Sequence, residues 1–336
     1  MTVLGLTNKG GNWAGGEDWS GSGYHRILLP LASMEGVKGL VSDSIQDGLE
    51  LDIIVYNRVS QYDSNWEEVK SDFKCKIVLD MDDYWYPDYQ GMAKRIERNI
   101  KQADLVLAST PILADKIRLI NPNVIVVENG IPFGHGQFTT EKLLSEKIRI
   151  FWAGGMNHNP DLKMFKNAIN YKNKLLVHKD KIEMVIGGYN AAPDSIAVCE
   201  NMLASISLDG KLPNKAIHVL PSNSYMTMYR NADIMVIPLE DNEFNSCKSI
   251  LKVLEAASKK IPVIVSNVKP YSQFKDMPVL WINSPKDWFT HLNYLILNSK
   301  ERIDLGIKLY EWAKERFNLD LMNAKRNAAF NTLVNN

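Results

Sequence analysis

The sequence predicts an α/β fold built as two similar halves, on three observations. Short apolar runs alternate with longer amphipathic stretches along the whole chain, the pattern of mostly parallel strands joined by helices. The length of 336 residues exceeds that of one ordinary domain. The alternation also stops at Glu128-Asn129-Gly130-Ile131-Pro132, a Gly-centred turn, gives way to a polar, patternless stretch to about Lys147, and then restarts. Two Rossmann-like domains facing across a cleft follow from this, with any ligand expected beyond the carboxyl ends of the strands.

In the first half, the apolar runs Val3–Leu6, Leu51–Tyr56, Ile77–Leu79, Leu105–Ala108 and Val124–Val127 read as strands. The stretches Tyr24–Met34, Asn65–Ser71, Gly91–Gln102 and Pro111–Ile120 read as helices between them. In the second half, strands are expected at Ile148–Ala153, Ile182–Ile186, Ile217–Leu220, Ile234–Ile237 and Pro262–Val265. Helices are expected at Pro160–Tyr171, Ser222–Asn231, Ser249–Ser258, Pro285–Leu297 and Lys300–Glu315. A last amphipathic stretch, Asp320–Val334, closes the chain. The expected division is therefore a first domain over 1–132, a linker over 133–147, a second domain over 148–318 and a final helix within 319–336.

Composition narrows the function classes. An apolar content of 45% supports real cores, and 39 basic against 39 acidic residues give no net pull toward nucleic acid or an acidic membrane. A local basic groove is compatible with that balance. Cys75, Cys199 and Cys247 are widely spaced and lack metal-ligand spacing, which points to reduced thiols and a cytoplasmic location. The opening MTVLGLTNKGG has no charged leader with a long apolar core, and no apolar run approaches the roughly 18–20 residues that span a bilayer.

The segment Asn245–Ser266 is the most informative. Asn245, Ser246, Lys248 and Ser249 form a small polar cluster that opens an apolar helical run beginning with Ile250 and reaching Leu254-Glu255-Ala256. A helix start offers unpaired N–H groups and the positive end of the dipole, which suit a phosphate. Glu255 lies six residues after Ser249, so one ligand can touch both the helix mouth and this carboxylate. Lys248 and Lys252, one turn apart, share a face on which to neutralise a diphosphate. A diphosphate at the mouth and a ribose diol at Glu255 describe a nucleotide-sugar; an ordinary amphipathic helix with a solvated glutamate is the plain alternative.

Three further constellations follow strands. Gly10–Gly16 and then Gly21-Ser22-Gly23-Tyr24-His25-Arg26 come after the first strand, where glycines let backbone approach an anion. Gly21, Ser22 and Gly23 precede a helix and are the candidates for that contact, with Arg26 supplying charge to a leaving phosphate. Trp13 and Trp19, with Tyr24, are candidates to stack on an acceptor sugar or base, or to form a lid; a surface loop is the alternative. Asp80-Met81-Asp82-Asp83 follows the third strand, leaving three readings open: Asp80 and Asp82 holding a divalent cation, Asp82 or Asp83 binding the acceptor hydroxyl, or a helix cap. Gly154, Gly155 and His158 sit in the loop after the first strand of the second half, where His158 faces either a donor or solvent.

Glu255, Pro262, Val263, Ile264 and Ser266 resemble the donor-site signature of GT-B glycosyltransferases, the retaining family 4 group in particular. Cys247 stands where that signature has its first glutamate; a divergent branch, of phage and bacterial type, fits better through Asn245, Lys248, Ser249, Lys252 and Glu255. Asn129-Gly130-Ile131 resembles the turn that ends the first domain of such enzymes, with Pro132 in place of an aspartate. Phe151-Trp152-Ala153-Gly154-Gly155-Met156 with Pro160-Asp161, and Ala232-Asp233-Ile234 with Pro238-Leu239, are similar to segments of their second domain. The resemblance implies the GT-B fold, with the last helix crossing back to the first domain. It implies transfer of a sugar from a nucleotide-sugar, UDP- or GDP-linked, to an acceptor hydroxyl with retention, no protein-held metal and no permanent cofactor. A glycan or a hydroxymethylated DNA base is then the acceptor. The alternatives are a metal-dependent GT-A-like enzyme using Asp80 and Asp82, a sugar-modifying Rossmann enzyme, for which no tight Gly-x-Gly-x-x-Gly unit is present, and a glycan-binding module without catalysis.

Overall fold

The computed structural model describes residues 1–8, 21–57, 65–84, 90–169 and 171–335. It divides into two compact units. Unit 1 comprises Met1–Gly130, Ser246–Ser249 and Phe317–Asn336; unit 2 comprises Ile131–Asn245 and Ile250–Arg316.

Unit 1 holds a six-stranded sheet of β1 (Thr2–Leu6), β2 (Lys38–Ser42), β3 (Ile53–Asn57), β4 (Lys76–Met81), β5 (Leu105–Ala108) and β6 (Val124–Val126). Their order is β2-β1-β3-β4-β5-β6, and every pairing is parallel. Strand β3, Ile-Ile-Val-Tyr-Asn, is buried at every position, as expected where helices cover both faces of a parallel sheet. One face carries Leu4, Tyr56, Trp66, Leu79 and Ile100 in a common cluster; the other packs Ile27, Leu31, Val55 and Leu107 against Met322 and Phe330 of the C-terminal helix Leu319–Asn335. Strand β2 was not expected: it is a partly exposed edge whose sequence, Lys-Gly-Leu-Val-Ser, carries no continuous apolar run.

Unit 2 repeats the plan with β7 (Ile148–Ala153), β8 (Ile182–Tyr189), β9 (Asn214–His218), β10 (Ile234–Ile237), β11 (Val263–Ser266) and β12 (Leu280–Ile282). The order β12-β11-β10-β7-β8-β9 is again all parallel. It reverses between β7 and β10, which makes the carboxyl ends of those two strands the topological switch point, where such sheets take ligands. The expected strand at Ile217–Leu220 starts earlier, at Asn214, as an exposed edge with an irregular register against β8. The three-residue edge strand β12 and the Ile196–Ile206 helix were not foreseen; the helix has no side-chain cap to mark its start.

Residues 133–147, expected as a linker, instead pack into unit 2. Phe138 is fully buried, the Gln137 amide donates to the Ser222 carbonyl at 2.8 Å, and Lys259 Nζ donates to the Gln137 carbonyl at 2.7 Å. A run without periodicity can still be ordered when its polar groups find specific partners. Among the described residues no helix is long and apolar enough to cross a membrane.

Candidate functional site

Each unit brings together part of the expected site. In unit 2 the residues gather at the β7/β10 switch point. Strand β7 ends in Trp152-Ala153 and turns through Gly154-Gly155. Gly154 is required by close approach: a β-carbon there would lie 2.7 Å from Lys252 Nζ and 2.8 Å from the Trp152 ring. Lys252 comes from the Leu251–Ser258 helix, and its ammonium lies 5.1 Å from the Trp152 ring centroid, within cation–π range. The loop after β7 also carries His158, whose Nδ1 is 2.6 Å from Asp161 Oδ2; Asp161 Oδ1 accepts from the Glu240 N–H, just past β10, at 2.8 Å. One carboxylate thus fixes the imidazole and ties together the loops that leave the two switch-point strands. Gly155 has open space where a side chain would be.

Glu255 lies one turn beyond Lys252 and is buried. Its Oε1 accepts from the Tyr225 hydroxyl at 2.6 Å and its Oε2 from the Tyr229 hydroxyl at 2.5 Å. Burial raises its pKa, against the opposing pull of the two tyrosine hydrogen bonds and of Lys252. The alternative of a solvated glutamate is therefore overturned. A carboxylate has about four lone-pair sites, and the two tyrosine hydroxyls take one on each oxygen. Tyr225 and Tyr229 escaped sequence reasoning, although their spacing of four within an expected helix, here a 3₁₀ turn, was a usable signal.

The helix mouth differs from expectation. The helix starts at Leu251 rather than Ser249, with Ile250 as an N-cap that makes no side-chain hydrogen bond. Asn245, in unit 2, is buried and its amide donates to the Glu240 carbonyl at 2.9 Å. Ser246–Ser249 belong to unit 1, where Cys247 packs fully buried in the apolar cluster beneath β4 and β5 and its carbonyl accepts from Thr110 Oγ1 at 3.0 Å. A cysteine sealed in that cluster cannot stand in for a sugar-binding glutamate. Lys248 is half-buried, and Ser249 Oγ accepts from the Asn129 amide at 2.9 Å.

In unit 1 the helical stretch Gly21–Ser33 follows β1 after the undescribed residues, and its Tyr24–Leu28 turn is a π-helix. Wide turns of this kind recur at functional sites. Ser22 Oγ donates to Asn57 Oδ1 at 3.2 Å, Gly23 is buried, and Gly21 has open space around it. Two expectations fail here. Tyr24 is buried, with its ring edge-on to His25, so it does not present a face to an acceptor. Arg26 does not face a phosphate; it lies in the interior, with Nε 2.6 Å from Asp80 Oδ1 and Nη1 donating to the Val127 carbonyl at 2.7 Å. Burial opposes its charge, but Asp80 and Asp82 outweigh that and raise its pKa. Arg326, from the C-terminal helix, approaches Asp80 Oδ2 at 3.7 Å. Burial and the repulsion of Arg26 bring its pKa down to about 10.

Asp80 is wholly buried between two arginines, which removes it as the metal ligand of the GT-A-like alternative. Asp82, half-buried, accepts from the Asn129 amide at 2.9 Å, and Asp83 is also half-buried. Among the described residues no group of three or more His, Cys, Asp or Glu side chains comes together to hold a metal ion. Trp13 and Trp19 lie outside the described residues. Unit 1 also has an open cavity of about 890 Å³ lined by residues including Lys70, Lys76, Leu105, Val124 and Lys325. It sits at the amino ends of β4, β5 and β6, the wrong end of the sheet for an α/β ligand site.

No protein-family model matches the chain, and no curated protein matches its sequence. Solved structures do. Sucrose-phosphate synthase from Thermosynechococcus elongatus matches with a TM-score of 0.71 at 12% identity, over 99% of each chain. HepE from Anabaena, in complex with UDP-glucose, matches at 0.67 and 10% identity over 99% of this chain and 100% of that one. A glycosyltransferase from Rickettsia africae matches at 0.64 and 15% identity over 100% of this chain and 99% of that one. At such identities the likeness is one of fold: two parallel six-stranded α/β units, the GT-B architecture.

Proposed function

We propose that this protein is a glycosyltransferase that moves a sugar from a UDP- or GDP-sugar to an acceptor hydroxyl. One observation carries the reading: Lys252, stacked on Trp152 against Gly154, and the buried Glu255 stand one helical turn apart at the switch point of unit 2. That spacing suits a diphosphate at the lysine and a ribose diol at the glutamate. The GT-B fold, shared with a structure solved in complex with UDP-glucose, supports the same donor class.

On this reading, Lys252, Lys248 and the first-turn N–H groups of the Leu251–Ser258 helix stabilise charge on the diphosphate as it leaves. Losing one such preorganised donor costs about 2.7–4 kcal/mol in other enzymes. His158, held by Asp161, lines the donor side with Gly154 and Gly155, and Asp82 with Asp83 binds the acceptor hydroxyl. Retention of configuration, with the leaving phosphate helping to deprotonate the acceptor, and independence of metal complete the proposal. We also place the reaction in the cytoplasm, in keeping with three buried cysteines that form no disulfide.

The test is nucleotide release from a panel of UDP- and GDP-sugars, with and without EDTA, against glycan and hydroxymethylated DNA acceptors. Metal-independent turnover with one donor, retained in the anomer of the product, is the expected result. Turnover abolished by EDTA favours the metal-dependent alternative, and no turnover with any donor favours a binding module.

A further inference from the structure

Asn129 follows β6 and is almost completely buried, yet every hydrogen-bonding group of its side chain is used. Its Oδ1 accepts from Arg26 Nη1 at 3.3 Å, while its Nδ2 donates to Asp82 Oδ1 at 2.9 Å and to Ser249 Oγ at 2.9 Å. All four residues lie in unit 1. Arg26 is itself fixed by Asp80 and by the Val127 carbonyl, two residues before Asn129, so the amide cannot turn over without losing a charged partner. The next residue, Gly130, lets the chain pass the C-terminal helix: a β-carbon there would lie 2.8 Å from Leu319 Cα.

We propose that Asn129 is a positioning residue that holds Ser249, beside the helix mouth, and Asp82, on the acceptor side, in one register. The inference rests on the donor reading above for the meaning of Ser249. Only a short amide fits the position. Aspartate would set a carboxylate against Asp82 and remove both donors, and alanine would leave Asp82, Ser249 and Arg26 each short of a partner. The Ser246–Ser249 segment is also anchored by Thr110 on the Cys247 carbonyl and by the buried Cys247 side chain, so loss of Asn129 should free Ser249 without unfolding the unit.

The experiment compares the full-length wild type with Asn129→Ala, Asn129→Asp, Ser249→Ala and the Asn129→Ala/Ser249→Ala double variant. UDP and GDP affinities are measured by calorimetry, and amide hydrogen exchange is followed over residues 246–252. Each single alanine variant is expected to weaken binding of the preferred nucleotide about tenfold, with the double variant no weaker than either, because the two side chains act as one unit. Asn129→Asp should do worse than Asn129→Ala. Exchange over 246–252 should quicken in both Asn129 variants more than over the strands of unit 1, with a lowered melting temperature but a transition that stays cooperative. Unchanged affinity in Asn129→Ala, or losses that add in the double variant, overturns the proposal. Exchange needs no nucleotide: a wild type that binds neither UDP nor GDP defeats the donor reading, and in that case unchanged exchange in Asn129→Ala defeats this one as well.

Discussion

The buried charges give the clearest residue-scale predictions. Asp80 is buried against both Arg26 and Arg326, and removing one partner of a buried ion pair commonly costs about 3–5 kcal/mol. Asp80→Ala should therefore lower the denaturation midpoint strongly, read by urea titration, whereas Asp276→Ala, on an exposed pair with Arg316, should hardly move it. Glu255 carries a pH signature. Its pKa is raised by burial, so the folded state keeps a proton that the unfolded state releases near the ordinary value of 4.5. Stability linked to it is full below that pH and is lost as pH rises through the raised value. Glu255→Gln should flatten this part of the stability profile in thermal melts while weakening nucleotide binding in calorimetry. Lys259, lowered to about 8 by burial, acts in the opposite direction: folding gains stability as pH climbs from about 8 toward 10.5, and Lys259→Met should remove that slope.

At the scale of elements, the C-terminal helix is a structural member of unit 1 rather than an appendage. Phe330 is fully buried against Ile27, Leu31 and Val55, and Phe330→Ala should cost about 3–5 kcal/mol, measured as a shift in the chemical denaturation midpoint. Which elements the sequence disclosed follows from where they lie. Central strands such as β5 and β10 were legible to the residue because burial on both faces leaves an uninterrupted apolar run. The edges β2 and β9 were missed or displaced because exposure erases that run, and β12, Leu-Trp-Ile, is only three residues long. The site was legible in part for a similar reason. Glu255 and Lys252 announced themselves by spacing on one helix. Tyr225, Tyr229 and Asn129 come from other elements, and only the folded chain sets them beside Glu255 or Ser249. Arg26 was misread because a lone arginine in a glycine-rich stretch carries no sign of the aspartate, 54 positions later, that captures it.

For the whole molecule, the order of the chain matters as much as its folding. It leaves unit 1 after Gly130, returns for Ser246–Ser249, leaves again at Ile250, and comes back for good at Phe317. A fragment ending at Gly130 would lack the buried Cys247, Met322 and Phe330, and should be recovered as an aggregate or a molten species by circular dichroism. Appending residues 317–336 through a flexible connector should restore a cooperative melt. The same itinerary bears on evolution and engineering: neither half can be swapped between relatives with a single crossover, since one cut always strands a piece of one core in the other parent. Recombination that preserves both hydrophobic interiors must exchange the tail along with the head.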